Sequence, residues 1–167
     1  QFAKMQFAAE KNGWTKFVAM QNHYNLVYRE EEREMNPYCI EEGVALVPWS
    51  PLARGFLAGN RKRDGGGETV RSNNDDYADD LYYNEGDFDV ADRVVEVAKD
   101  RGVKPAQIAL AWIRRKPGVT SPIIGATRMQ YLDDAAEALG IELSDDEMKR
   151  LEEPYRPHPT LGFTTAL

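Results

Sequence analysis

The chain has 167 residues, 42% hydrophobic and 29% charged, the balance of a folded protein with one sizeable core. A formal net charge of −7 excludes a general nucleic-acid binder, because neutralising phosphates takes clustered Lys and Arg. No apolar run approaches the ~20 residues needed to cross a bilayer, and a lone cysteine, Cys39, excludes an intrachain disulfide, so a cytoplasmic location is expected.

The chain opens at Gln1 inside a predicted helix, from which we expect an N-terminal part ahead of it. Helical spacing puts Phe2, Met5 and Ala9 on one face, with Gly13 as the stop. Residues 16–21 form a short apolar run ending in a polar residue, the pattern of a parallel strand buried on both faces. Residues 30–42 read as a charged helix with a kink or restart at Pro37 and an end at Gly43. A second apolar run, residues 44–49, follows at once. Helix, strand, helix, strand with tight links predicts a parallel α/β sheet.

From Ser50 to Gly86 the pattern lapses into a long loop with three consecutive glycines, residues 65–67, and many Asp residues. Loops of that length in compact domains are functional or mobile. Helices resume with Asp89 as N-cap and Gly102 as stop, then at residues 105–115 with Pro105 in the first turn. Residues 121–125 predict a third strand, leading into a helix over about 129–139. Ser144 and Glu147 have capping-box spacing, so a last helix is expected over about 144–153, before a tail of residues 154–167. The total is about three strands and six helices without an internal repeat. On this pattern alone, a small doubly wound sheet and part of a closed barrel both stay open.

Parallel α/β folds bind ligands at the carboxyl ends of their strands. Those ends are residues 21–25, 49–55 and 125–128, each bringing amides, hydroxyls, an aromatic or a guanidinium to where an apolar strand stops. The third has the makings of an anion site: small residues admit close backbone approach, the next helix offers free N–H groups, and Arg128 can grip a phosphate.

Gln21 to Asn25, Pro48-Trp49-Ser50-Pro51-Leu52 with Arg54, Gly55 and Leu57, the helix around Gln107 to Trp112, and Ile123 to Arg128 together resemble the aldo-keto reductase family, in its order and at about its spacing. The likeness covers nearly the whole chain, and it is nearest to bacterial and fungal reductases related to potassium-channel β subunits. It implies the C-terminal part of a (β/α)8 barrel, a single partial barrel domain over residues 1–167, too short to close alone because such a barrel takes ~250 residues. It also implies an NADP(H) cofactor and, in the complete protein, reduction of small-molecule aldehydes or ketones to alcohols. By position in the motifs, the resemblance assigns Gln21 to the nicotinamide carboxamide and Trp49 to the nicotinamide ring. Ser50, Pro51, Leu52 and Arg54 fall to the pyrophosphate, and Arg71 to the adenosine phosphate end. Gly125, Ala126, Thr127 and Arg128 receive the 2′-phosphate, while Tyr131 and Asp134 lie near the adenine positions. Tyr131 and Ala135 depart from the family's commoner residues there.

The family's catalytic Tyr, Lys, Asp and His lie on strands earlier than Gln1, and no motif here sets a Lys or His beside a Tyr, so no catalytic residue is assigned. A catalytically silent nucleotide-binding interaction module, or a small doubly wound domain for another phosphorylated ligand, are the alternatives.

Other conspicuous residues read as structural. His23 after a strand suits a hydrogen-bonded structural role, and His158 in the Pro-rich tail is taken as incidental. Residues 30–33 read as a solvated helix face rather than a metal site, and Trp112 as core. The Asp residues at 75, 76, 79 and 80 lack the alternation and glycine of a calcium loop.

Three parallel strands leave two open edges. The chain is therefore expected to self-associate, or to pair with an N-terminal half; a single monomeric mass by light scattering of the purified chain would oppose this.

Overall fold

A computed structural model describes residues 1–61, 63 and 81–159. Arg71, the acidic residues at 75–80 and the tail from residue 160 lie outside the described residues. The elements in chain order are α1 (Phe2–Lys11), β1 (Ala19–Met20), a 3₁₀ turn (Glu30–Glu32), α2 (Met35–Glu41), β2 (Ala45–Leu46) and a 3₁₀ segment (Ala53–Ala58). There follow α3 (Glu85–Arg101), α4 (Pro105–Arg115), α5 (Met129–Glu137), a 3₁₀ turn (Ala138–Gly140) and α6 (Asp145–Glu152).

The parallel α/β character is present, with β1 paired to β2 in the register Ala19 to Ala45 and Met20 to Leu46. The third expected strand is reduced to bridges, Leu46 with Val119 and Trp49 with Ile123, both parallel. Its hydrogen bonds are nonetheless made: Leu46 N to Gly118 O at 2.9 Å, Thr120 N to Leu46 O at 2.9 Å, and Ile123 N to Pro48 O at 2.8 Å. Pro122 has no N–H to extend the ladder, which is why bridges stand where the apolar pattern predicts a strand.

Burial on both faces of the first strand is not observed. Phe17 is 52% and Val18 77% exposed, because no element covers that edge among the described residues. The inward face of α1 also differs. Phe2 and Ala9 are buried as expected, but Met5 is exposed and Gln6 lies between them. Gln6 Nε2 donates to Phe17 O at 2.9 Å and Gln6 Oε1 accepts from Phe17 N at 2.8 Å. Its carboxamide satisfies a strand backbone that would otherwise lose water on burial, an advantage the Met5 thioether lacks.

The main core packs α3, α4 and α6 against residues 24–28, 52–57 and 81–82, with Trp112, Tyr24 and Phe56 at its centre. Trp112 is core, as expected, and its indole N–H donates to Glu152 at 2.9 Å. A smaller cluster of Phe2, Cys39, Val44 and Leu46 lies under α1 and α2. The predicted long loop is partly structured: Phe56, Leu57, Leu81 and Tyr82 are all buried. Helix α3 starts four residues before the expected Asp89, because Asn84 is the N-cap and its N–H donates to Asp87 at 3.1 Å. Asp89 instead pairs with Arg63 on the helix surface. Pro37 marks a restart, sitting in the first turn of α2 where its missing N–H costs nothing. The capping box of α6 forms as read, with Ser144 N donating to Glu147 at 2.7 Å.

Two bland readings are overturned. Residues 30–32 are not a solvated face. Glu30 accepts from the Tyr155 hydroxyl at 2.6 Å and the His158 N–H at 2.9 Å, while Glu32 accepts from Tyr24 at 2.5 Å and Arg29 at 2.7 Å. Nor is His158 incidental, since its Nε2 lies 2.8 Å from Asp87 Oδ1 and both side chains are nearly sealed from solvent. Sequence distance hid the contacts of Glu30 with Tyr155 and His158 and of Asp87 with His158, which span more than 65 positions.

The Asp87 hydrogen bond raises the His158 pKa above its usual 6.5, outweighing the opposing effect of burial. A raised folded-state value means that the stabilisation is complete below the unfolded value of about 6.5 and fades as pH climbs through the folded one. Denaturant midpoints are therefore expected to fall from pH 6 towards pH 9, and H158Q should flatten that dependence; a parent protein already flat over this range would refute the assignment.

Candidate functional site at the strand ends

The ladder on β2 continues past both strands to their carboxyl ends. His23 bridges to Trp49 and Trp49 to Ile123, so the three predicted strand ends stand side by side with the second in the middle. Trp49 N donates to Asn22 O at 3.0 Å. Of the residues singled out from sequence, Gln21 is exposed at the end of β1 and Trp49 is half-buried at the centre of the row.

Ser50, Pro51, Leu52 and Arg54 form a tight loop beyond Trp49. Ser50, Ala53 and Arg54 have positive φ values of 57°, 46° and 56°, the left-handed region that side chains with a Cβ rarely enter. Such residues cost about 1–3 kcal/mol each and persist where surrounding bonds hold them. Here the Arg54 N–H donates to Ser50 Oγ at 3.2 Å, and Ser50 O accepts from Asn25 Nδ2 at 2.9 Å.

Gly125, Ala126, Thr127 and Arg128 are all exposed and lead into α5, for which Arg128 is the N-cap. The first turn of α5 has no acidic residue and its N-cap makes no side-chain bond, in contrast to the boxed starts of α3 and α6. Arg128 lies 5.9 Å over the Tyr131 ring and has no carboxylate partner among the described residues. A cation and a set of free N–H groups thus share one exposed corner, an arrangement suited to an anion. Tyr131 is exposed beside it. Asp134 is buried, its carboxylate on Lys104 at 2.6 Å and Gln130 at 3.0 Å, which holds its pKa below the ordinary carboxylate range. Arg71 lies outside the described residues.

Two residues behind Trp49 were not assigned to a site from sequence. The His23 imidazole stacks on Trp49, with ring centres 4.1 Å apart and planes 13° apart, and on Tyr28 at 4.3 Å and 11°. Its Nε2 lies 2.6 Å from the Tyr82 hydroxyl. A His and a Tyr therefore do meet, although no motif announced it. Tyr82 is only 4% exposed, however, and its hydroxyl is also shared with Asn25 and Ser50. Burial, followed by the positive charge of His158, lowers the His23 pKa to about 4, so the imidazole is neutral near pH 7. No lysine joins the pair among the described residues.

Asn25 is the other residue. Fully buried, it accepts from Val27 N at 3.0 Å and Tyr28 N at 2.9 Å while donating to Ser50 O. The Asn-x-x-Tyr spacing is an Asx-turn signal that could have been read from the sequence. The link to Ser50 could not.

A parallel ladder with exposed polar groups along its carboxyl edge defines an α/β protein with a ligand edge of the usual kind. The aldo/keto reductase family model matches residues 1–156, and the chain belongs to that family. It is 48% identical over 166 residues to the aldo-keto reductase AMT2 of Alternaria alternata, covering 98% of this chain and 43% of that protein. An aldo-keto reductase of Fusarium vanettenii is 46% identical over 165 residues, covering 98% and 44%. The versiconal hemiacetal acetate reductase of Aspergillus parasiticus is 42% identical over 165 residues, covering 95% and 47%. The chain thus spans less than half the length of these relatives.

Replacing Asn25 with Ala would orphan the buried Val27 N–H, at a cost of about 1–3 kcal/mol, and would take one of two hydrogen bonds from Tyr28 N and from Ser50 O, which keep their backbone partners. N25A should therefore lose about 2–4 kcal/mol of unfolding free energy in urea. A loss under 1 kcal/mol would show that Asn25 does not anchor the Ser50 loop.

Proposed function

We propose that this chain is the NADP(H)-binding portion of an aldo-keto reductase: a single domain forming the C-terminal part of a (β/α)8 barrel. In the complete protein it serves the reduction of a small-molecule aldehyde or ketone to an alcohol. The observation that carries this reading is the continuous row from His23 through Trp49 to Ile123, which sets an aromatic platform between a polar strand end and an anion corner.

The residues present fit the cofactor. Trp49, half-buried with His23 against one face, offers its remaining face to the nicotinamide, and Gln21 beside it can bond the carboxamide. The strained Ser50–Pro51–Leu52 segment and Arg54 follow the pyrophosphate, joined by Arg71. Gly125, Ala126, Thr127 and Arg128 hold the 2′-phosphate against the uncapped start of α5, which favours NADP(H) over NAD(H). Tyr131 serves the adenine end, and Asp134 keeps α5 in place there through Lys104. When bound, the cofactor supplies the hydride. The residues of this chain bind and orient it, and they contain no exposed tyrosine paired with a base among those described. Protonation of the carbonyl oxygen accordingly falls to groups outside this chain, so the chain alone turns nothing over. The same incompleteness supports pairing with an N-terminal half.

Titrating NADPH into the chain while following nicotinamide fluorescence is expected to give saturable binding. R128A should weaken NADPH about 10–100-fold, the worth of a charge-assisted hydrogen bond, with little change for NADH. Absence of binding, an equal loss for both cofactors, or aldehyde reduction by the chain alone would each overturn the part of the proposal it addresses.

A further inference from the structure

Behind Trp49 the ring stack runs into the interior: His23 is almost sealed and Tyr28 fully buried, so neither meets a ligand at the strand ends. His23 and Trp49 occupy bridged positions on neighbouring parallel segments. Adjacent strands lie about 4.8 Å apart, so side chains at bridged positions rise together on one face and flat rings there stack. The observed spacing is 4.1 Å. Tyr28 closes the far face of the imidazole at 4.3 Å, and Tyr82 fixes its edge through a 2.6 Å contact at Nε2. His23 itself is only 6% exposed. An imidazole held on both faces and one edge has a single orientation, and the indole stacked on it inherits that plane.

We propose that His23 is a positioning residue for the dinucleotide: it fixes the plane of Trp49, and through it the nicotinamide, without touching the ligand. The inference rests on the cofactor reading of Trp49 given above. A freed indole would have to be ordered at the moment of binding, and that ordering subtracts from affinity. The cost falls only on ligands that use the indole. Those engaging the Arg128 corner alone escape it, which separates positioning from general support of the fold.

The test titrates the wild-type chain, H23L and H23F with NADPH and with 2′,5′-ADP, which carries the 2′-phosphate but no nicotinamide. H23L keeps much of the side-chain volume and loses the flat ring. It is expected to weaken NADPH about tenfold while leaving 2′,5′-ADP within about twofold. H23F restores a flat ring and should recover NADPH affinity to within about threefold of wild type. Equal weakening of both ligands, no weakening by H23L, or a wild-type chain that holds 2′,5′-ADP as tightly as NADPH would overturn the inference while leaving the anion corner intact. A wild-type chain that binds neither ligand overturns the cofactor reading and this inference with it. Should circular dichroism show H23L unfolded, Y82F, which removes the hydroxyl at the imidazole edge, must show the same NADPH-selective loss at about threefold; its absence counts against the proposal.

Discussion

The backbone ladder on both sides of β2 is the constraint on which the rest depends. Leu46 bonds to the Val119 side, Ala45 and Val47 bond to the β1 side, and Trp49 continues the pattern outward. Because strand neighbours lie at a fixed distance, that ladder sets the spacing of three segments far apart in sequence. The stack on His23, the Asn25 bond to Ser50 and the position of the 125–128 corner all follow from it. Even the strained turn at Ser50, Ala53 and Arg54 is tenable because a ladder-held neighbour supplies its hydrogen bond.

Charge is used inward as much as outward. Arg29 joins Glu32 and Glu152, Lys116 reaches the same two carboxylates, and Tyr155 and His158 close on Glu30 and Asp87. These groups tie the segment after β1 to α6 and the start of the tail. Buried ions are tolerable only when each is met by an opposite charge or a strong donor, and here they are. Elsewhere large apolar side chains stay exposed: Trp14, Phe17 and Val18 along the β1 side, and Leu132 and Leu139 on α5 and the turn after it. No element among the described residues covers these faces.

Legibility varied by element for identifiable reasons. Helices α4 and α6 could be read almost to the residue, because Pro105 and the Ser144–Glu147 pair are local devices acting over one turn. The start of α3 was misplaced because two candidate caps lie five positions apart, and local chemistry does not rank Asn84 above Asp89. The face of α1 was misread at Met5 because apolar periodicity cannot foresee that a buried carboxamide will be wanted by a strand backbone. The third strand was overread, its apolar residues being real but its Pro122 unable to donate. Among candidate-site residues, the 125–128 segment, Trp49 and the turn at Asn25 were legible as local motifs, whereas the His23–Tyr82 contact and the Asn25 bond to Ser50 were not.

What the sequence by itself determined is the local and the periodic: the alternation of helix and strand, most of the caps, and the motif set that marks the family. Those depend on neighbours within a few residues, or on residue order, which the chain carries openly. Only the tertiary structure decided which charges are buried and paired, which edge stays bare, and that an imidazole lies flat between two aromatic rings. Each of these depends on segments brought together in space, as far as 128 positions apart for Glu30 and His158, and their energies exist only once water has been removed from between them.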